Sequence, residues 1–200
     1  MSKVTNQSVS LCVNLPNATT MVRVVLTAAI IWLLIQGGAA LSLTAGILLI
    51  VAWATDGLDG LLARRLGQST LGGALFDLIA DRLLMTPVLI ISIIQGLWSR
   101  TSGLMPLNPY PYAVLVIIAD LTILAGILSY MWKRQNQVID FPTPTQIARV
   151  TYSVQMVTLV VGVLGIGPNI LLAVLMYITI ISTLLAAYSY LKKGGYVFTR

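Results

Sequence analysis

The stretch "LSLTAGILLIVAWATDGLDGLLARRLGQSTLGGALFDLIADRLLMTPVLIISIIQGL", Leu41 to Leu97, decides how this chain folds. Two apolar runs flank a charged centre. Each run is long enough to cross the hydrocarbon core of a bilayer, which takes about 20 mostly apolar residues. The centre contains "RRLGQST" at 64–70, a polar, turn-like break. The six acidic residues of the chain are all Asp, and four of them stand here: Asp56, Asp59, Asp77 and Asp81. A chain that avoids charge elsewhere gathers its carboxylates where two helices meet.

The remaining sequence has the same character. Of 200 residues, 58% are hydrophobic and 9% charged, against roughly 25% charged in soluble domains. Such a composition does not cover a water-facing surface, so most of the solvent is lipid. There is no His and a single Cys, Cys12, which excludes an internal disulfide and the usual Cys/His zinc sites. Residues 1–16 are polar and mixed, without the short apolar core of a cleaved signal.

Six spans are expected, at about 20–37, 41–64, 74–97, 111–132, 146–166 and 169–190. They form one all-α integral membrane domain over 1–200, preceded by an N-terminal interfacial segment at 1–19. The other breaks are "QGG" at 36–38, "SRTSGLMPLNP" at 99–109, "KRQNQVIDFPTP" at 133–144 and "GIGPN" at 165–169.

Basic residues set the orientation. An even number of spans places both termini on one side. Lys3, Arg23, Arg64, Arg65, Arg82, Lys133, Arg134, Arg149, Lys192, Lys193 and Arg200 fall there, against Arg100 alone on the other. Both termini and the Asp cluster are therefore expected at the cytoplasmic face. The net charge of +6 then meets anionic headgroups. Nucleic acid is not an expected partner, since there is no basic soluble surface.

On a helix over 52–65, Asp56, Asp59, Gly60, Ala63 and Arg64 share one stripe. On the next helix Gly73, Asp77 and Asp81 share another. The short link makes the two helices antiparallel neighbours, so the stripes can face each other. Four close carboxylates repel and need compensation. Oxygen-only donors suit Mg²⁺, Mn²⁺ or Ca²⁺, and four Asp suffice for two ions, an arrangement used for displacement at phosphorus. Gly60, Ala63 and Gly73 leave room for a ligand or for close helix packing. Arg64 can grip a phosphate or serve as a membrane anchor.

These residues spell D-x-x-D-G-x-x-A-R-x8-G-x3-D-x3-D, with every spacing met. The chain thereby resembles the CDP-alcohol phosphatidyltransferases. The resemblance implies a six-helix bundle that moves a phosphatidyl group from a CDP-linked lipid, such as CDP-diacylglycerol, to an alcohol and releases CMP. It implies that Asp56, Asp59, Asp77 and Asp81 hold two Mg²⁺ or Mn²⁺ ions, and that Asp81 is also the general base. It places Gly60, Ala63, Arg64 and Gly73 around the cytidine and phosphates, with Thr20 beside the CDP-lipid. It further implies a plasma (inner) membrane enzyme working at the cytoplasmic face, in contact with membrane lipid and expected as a homodimer.

Two weaker stretches bear on the acceptor. "NLPNATTMVR", Asn14 to Arg23, resembles the segment before the first span of phosphatidylglycerophosphate synthases and related cardiolipin synthases. "PTPTQIARVTYSVQ", Pro142 to Gln155, resembles the segment opening their fifth span, with Arg149, Thr151 and Gln155 in the polar roles. Arg23, Arg82 and Arg149 are the expected acceptor-binding residues. Two positions depart from the pattern: Arg82 stands where glycerophosphate synthases carry Lys, and Ala119-Asp120 where they carry Arg-Glu. Glycerol 3-phosphate is the leading acceptor. Phosphatidylglycerol, giving cardiolipin, is the alternative, and an ion-coupled transporter using Asp120 is the alternative of another class. Trp98, Tyr110, Tyr112, Trp132 and Tyr196 are expected in interfacial aromatic belts, and "GVLGIG" at 162–167 in close helix or dimer packing.

Overall fold

The computed structural model describes residues 15–66, 71–99, 109–133 and 146–198. They form six helices: α1 (Leu15–Gln36), α2 (Ala39–Leu66), α3 (Leu71–Ile94), α4 (Pro109–Lys133), α5 (Gln146–Leu164) and α6 (Asn169–Phe198). Each coincides with an expected span. α1 starts at Leu15, so 15–19, expected in an interfacial segment, continues directly into the helix. Pro16 suits a first helical turn, where its missing N–H costs nothing. Pro109 and Pro111 sit in the first turn of α4 for the same reason.

The shortest helix, α5, has 19 residues, roughly 28 Å at 1.5 Å per residue. Two turns are made by glycines with positive φ: Gly37 and Gly38 (71° and 98°) between α1 and α2, and Gly165 and Gly167 (66° and 76°) between α5 and α6. Side chains rarely adopt that conformation, and this reverses the chain within a few residues.

α1 packs on both α2 and α3, α5 joins α2 to α6, and α4 lies on α6. Among the described residues α1, not α3, is the principal neighbour of α2. The core runs through Ile30, Leu34, Leu49, Val88, Met156 and Met176. Gly162 allows α5 to approach so closely that a Cβ there would overlap the Trp98 ring, and a Cβ at Gly46 would overlap Leu164. The small residue at 162 thus serves packing within the chain.

The surface is inverted relative to a soluble bundle. Val25 and Ile94 are each 70% exposed, whereas Thr158, Thr179 and Thr183 are fully buried. Interior polar groups are tied to one another: Thr158 and Thr179 hydroxyls lie 2.8 Å apart, and Thr151 donates to the Ser182 carbonyl at 2.9 Å. Exposed apolar groups and hydrogen-bonded interior hydroxyls are what a lipid solvent requires. Among the described residues, Asn169–Ser189 alone is long and apolar enough to span a membrane by itself; the other apolar stretches are shorter, such as Ala39–Thr55 and Leu84–Ile94.

Two belt residues prove to be core. Trp98 and Tyr112 are buried and stacked, with centroids 5.6 Å apart. Trp98 donates its indole N–H to Ser92 at 2.9 Å, which removes the need for an interfacial partner. Tyr110 is 58% exposed, as a belt residue would be. The side chains of Trp132 and Tyr196 lie outside the described residues.

Candidate active site

The conserved geometry of a helix fixes where the motif stands. Asp56 and Asp59 are one turn apart on α2, and Asp77 and Asp81 one turn apart on α3. The backbone is helical through each of the two runs, on α2 and on α3. The side chains of Asp56, Asp59, Gly60, Ala63, Arg64, Gly73, Asp77 and Arg82, and of Thr20 on α1, lie outside the described residues, as does any contact between the stripes.

Asp81 is described, and it is 14% exposed. Its Oδ1 accepts a hydrogen bond from Arg23 Nη1 at 2.6 Å. Arg23 is 2% exposed, on the face of α1 turned toward α3. One turn on, Thr27 donates to the Arg23 carbonyl at 2.8 Å and is itself buried. A guanidinium stays charged under all ordinary conditions, so this contact sets a fixed positive charge against the Asp81 carboxyl. Separating such a pair in the interior costs about 3–5 kcal/mol, because one charge is left behind. Arg23, expected on the acceptor, is thus brought onto the expected general base.

On α5, Arg149 is exposed, whereas Thr151 and Gln155 turn inward. Gln155 Nε2 donates to Thr183 at 3.2 Å and approaches Asp120 Oδ1 at 3.4 Å. Asp120 and Gln155 are 5% and 2% exposed. They line a cavity of about 10 Å³ together with Met85, Thr86, Tyr112 and Leu159. The sequence marked Asp120 as an intramembrane acid but did not join it to Gln155. The signal was present in the polar spacing of Thr151, Gln155 and Thr158 on α5 and of Thr179 and Thr183 on α6.

Among the described residues no group of three or more acidic or thiol side chains stands together; three of the four motif Asp fall outside that set. What fits a divalent ion is the donor chemistry: carboxylate oxygens in a chain without His, one of them held in place by Arg23.

The family model for CDP-alcohol phosphatidyltransferases matches residues 13–185. The chain belongs to the CDP-alcohol phosphatidyltransferase family. A Rickettsia felis protein named CDP-diacylglycerol–glycerol-3-phosphate 3-phosphatidyltransferase is 26% identical over 186 residues, 90% of this chain and 94% of the relative. A Pseudomonas fluorescens protein of the same name is 39% identical over 87 residues, 42% of this chain and 45% of the relative. A Mycobacterium tuberculosis protein (strain H37Rv) named probable phosphatidylglycerophosphate synthase is 36% identical over 112 residues, 52% of this chain and 46% of the relative. The last two matches thus span under half of those relatives. As a member of the phosphatidyltransferase family, the chain carries its full Asp/Gly/Arg signature on α2 and α3.

Proposed function

We propose that this protein is a phosphatidylglycerophosphate synthase. It transfers the phosphatidyl group of CDP-diacylglycerol to glycerol 3-phosphate and releases CMP. The observation that carries this reading is the Asp81 carboxylate, fixed by Arg23 within the complete family signature. The names of the relatives matched over 90% of this chain support glycerol 3-phosphate as acceptor and do not favour cardiolipin synthesis.

In this reading Asp81 takes the proton of the acceptor's C1 hydroxyl. The freed oxygen bonds to the phosphorus that carries the diacylglycerol, and the bond from that phosphorus to CMP breaks. Asp56, Asp59, Asp77 and Asp81 would hold Mg²⁺ or Mn²⁺, which when bound offsets the negative charge of the diphosphate. Gly60, Ala63 and Gly73 leave space for the CDP group, and Arg64 and Thr20 bind it. Arg82 and Arg149 hold the acceptor phosphate. Arg23 has a different part: it fixes the orientation of Asp81.

The inverted surface and the basic-residue bias support six spans, both termini in the cytoplasm and an active site at the cytoplasmic face of the plasma (inner) membrane. A homodimer in that membrane is part of the same proposal. A transporter using Asp120 is disfavoured, since that carboxylate is buried, bonded to Gln155, and borders a cavity of only about 10 Å³.

The test is acceptor exchange. Purified protein in detergent, supplied with CDP-diacylglycerol and Mg²⁺, should release CMP with glycerol 3-phosphate and form phosphatidylglycerophosphate. Release with phosphatidylglycerol alone would make it a cardiolipin synthase.

A further inference from the structure

The cavity between α3, α4 and α5 lies beyond the motif. Met85 and Thr86 follow Asp81 by four and five residues on α3, so the cavity sits roughly 6–8 Å deeper along the helix. Its volume of about 10 Å³ suits one oxygen-sized group. Its wall is apolar except for Asp120, Gln155, Thr86 and Tyr112.

Gln155 is the informative wall. The Asp120 carboxylate requires the amide's N–H side toward it, and Nε2 is the atom at 3.4 Å. Thr183 accepts from the same nitrogen. Oε1 is thereby turned elsewhere, and it is buried with no hydrogen-bond partner among the described residues. A buried carbonyl left in that state is unfavourable, so an unfilled acceptor on a residue that lines an oxygen-sized space calls for a donor. The donor must be small, and a hydroxyl meets that condition.

We propose that this cavity receives the second hydroxyl of the acceptor alcohol, which donates to Gln155 Oε1, and that Gln155 therefore selects acceptors bearing that hydroxyl. This rests on the synthase reading above. With the reacting oxygen at Asp81, the neighbouring hydroxyl of a three-carbon alcohol points along α3 toward the cavity, while the phosphate stays at the basic cytoplasmic end. A site built to pair a substrate hydroxyl discriminates strongly against the analogue without it.

The experiment compares glycerol 3-phosphate with 3-hydroxypropyl phosphate, the same chain lacking the C2 hydroxyl, in the wild type and in Gln155→Met. CMP release gives kcat/KM for each pair. The wild type should prefer glycerol 3-phosphate by about tenfold or more, as the loss of one paired hydroxyl implies. In Gln155→Met the preference should collapse to about twofold or less. Gln155→Asn, which withdraws the carbonyl but keeps the amide, should fall between and serves if the Met variant does not fold. Equal use of both acceptors by the wild type would assign the cavity to water alone and overturn the proposal. A preference unchanged in both variants would overturn it too. Release of no CMP by the wild type with either acceptor would instead overturn the synthase reading, and the inference with it.

Discussion

Arg23 on α1 and Asp81 on α3 meet at 2.6 Å, the guanidinium almost wholly buried and the carboxylate slightly exposed. This ion pair bolts the first helix to the end of α3 that bears the motif. A general base has to be held within a fraction of an ångström of its working position, and the pair supplies that constraint from outside the motif.

Arg23→Gln should therefore lower kcat about a hundredfold, as a misplacement of roughly 1 Å does, while KM for glycerol 3-phosphate moves less than about twofold. Arg23→Lys, which keeps the charge but loses the planar fork, should recover part of the rate. Steady-state CMP release against acceptor concentration separates the roles. A variant with normal kcat and a raised KM would return Arg23 to the acceptor phosphate.

The carboxylate donor set predicts a hard-cation requirement. Chelation with EDTA should abolish CMP release, and Mg²⁺ or Mn²⁺ should restore it. Asp56→Asn and Asp77→Asn should each lower activity by about a hundredfold or more and demand more metal for what remains. Activity that survives exhaustive chelation would remove the metal from the account.

The hydroxyl seam between α5 and α6 should contribute to stability but modestly. The two hydroxyls have one proton each for three contacts: whichever donates to the other leaves its own helix carbonyl, Val154 or Leu175, each 2.8 Å away, without that bond. In a double-mutant cycle of Thr158→Val and Thr179→Val, unfolding in mixed micelles should give a coupling of about 0.6 kcal/mol. A coupling of zero would mean that the 2.8 Å contact holds nothing together.

Much of the architecture was legible in the sequence, for identifiable reasons. Gly37, Gly38, Gly165 and Gly167 adopt positive φ where the breaks were expected, because few other residues turn a chain so sharply. The Asp spacing mapped onto α2 and α3 because helical periodicity leaves little choice. What stayed hidden was the rotation of each helix about its axis. In a soluble bundle an apolar stripe marks the inward face; here apolar residues surround every helix, and the stripe carries no sign. The contact of Arg23 with Asp81 was not legible because nothing in the sequence turns α1 toward α3. Trp98 and Tyr112 looked interfacial because their partners, Ser92 for the Trp98 indole and the Trp98 ring for Tyr112, lie at positions that only packing joins. The better guide was the spacing of scarce polar residues, Thr151, Gln155 and Thr158 facing Thr179 and Thr183, which does mark the interior.

The central claim is that Asp81 acts directly on the acceptor in phosphatidyl transfer. The most direct measurement is the rate of CMP release from CDP-diacylglycerol and glycerol 3-phosphate by Asp81→Asn beside the wild type, at saturating Mg²⁺. Asparagine keeps the shape but cannot take the proton. The account predicts that the wild type forms phosphatidylglycerophosphate and that Asp81→Asn loses at least about a thousandfold in kcat, consistent with the combined loss of a base and a metal ligand. An Asp81→Asn protein that folds and turns over within about tenfold of the wild type would contradict it.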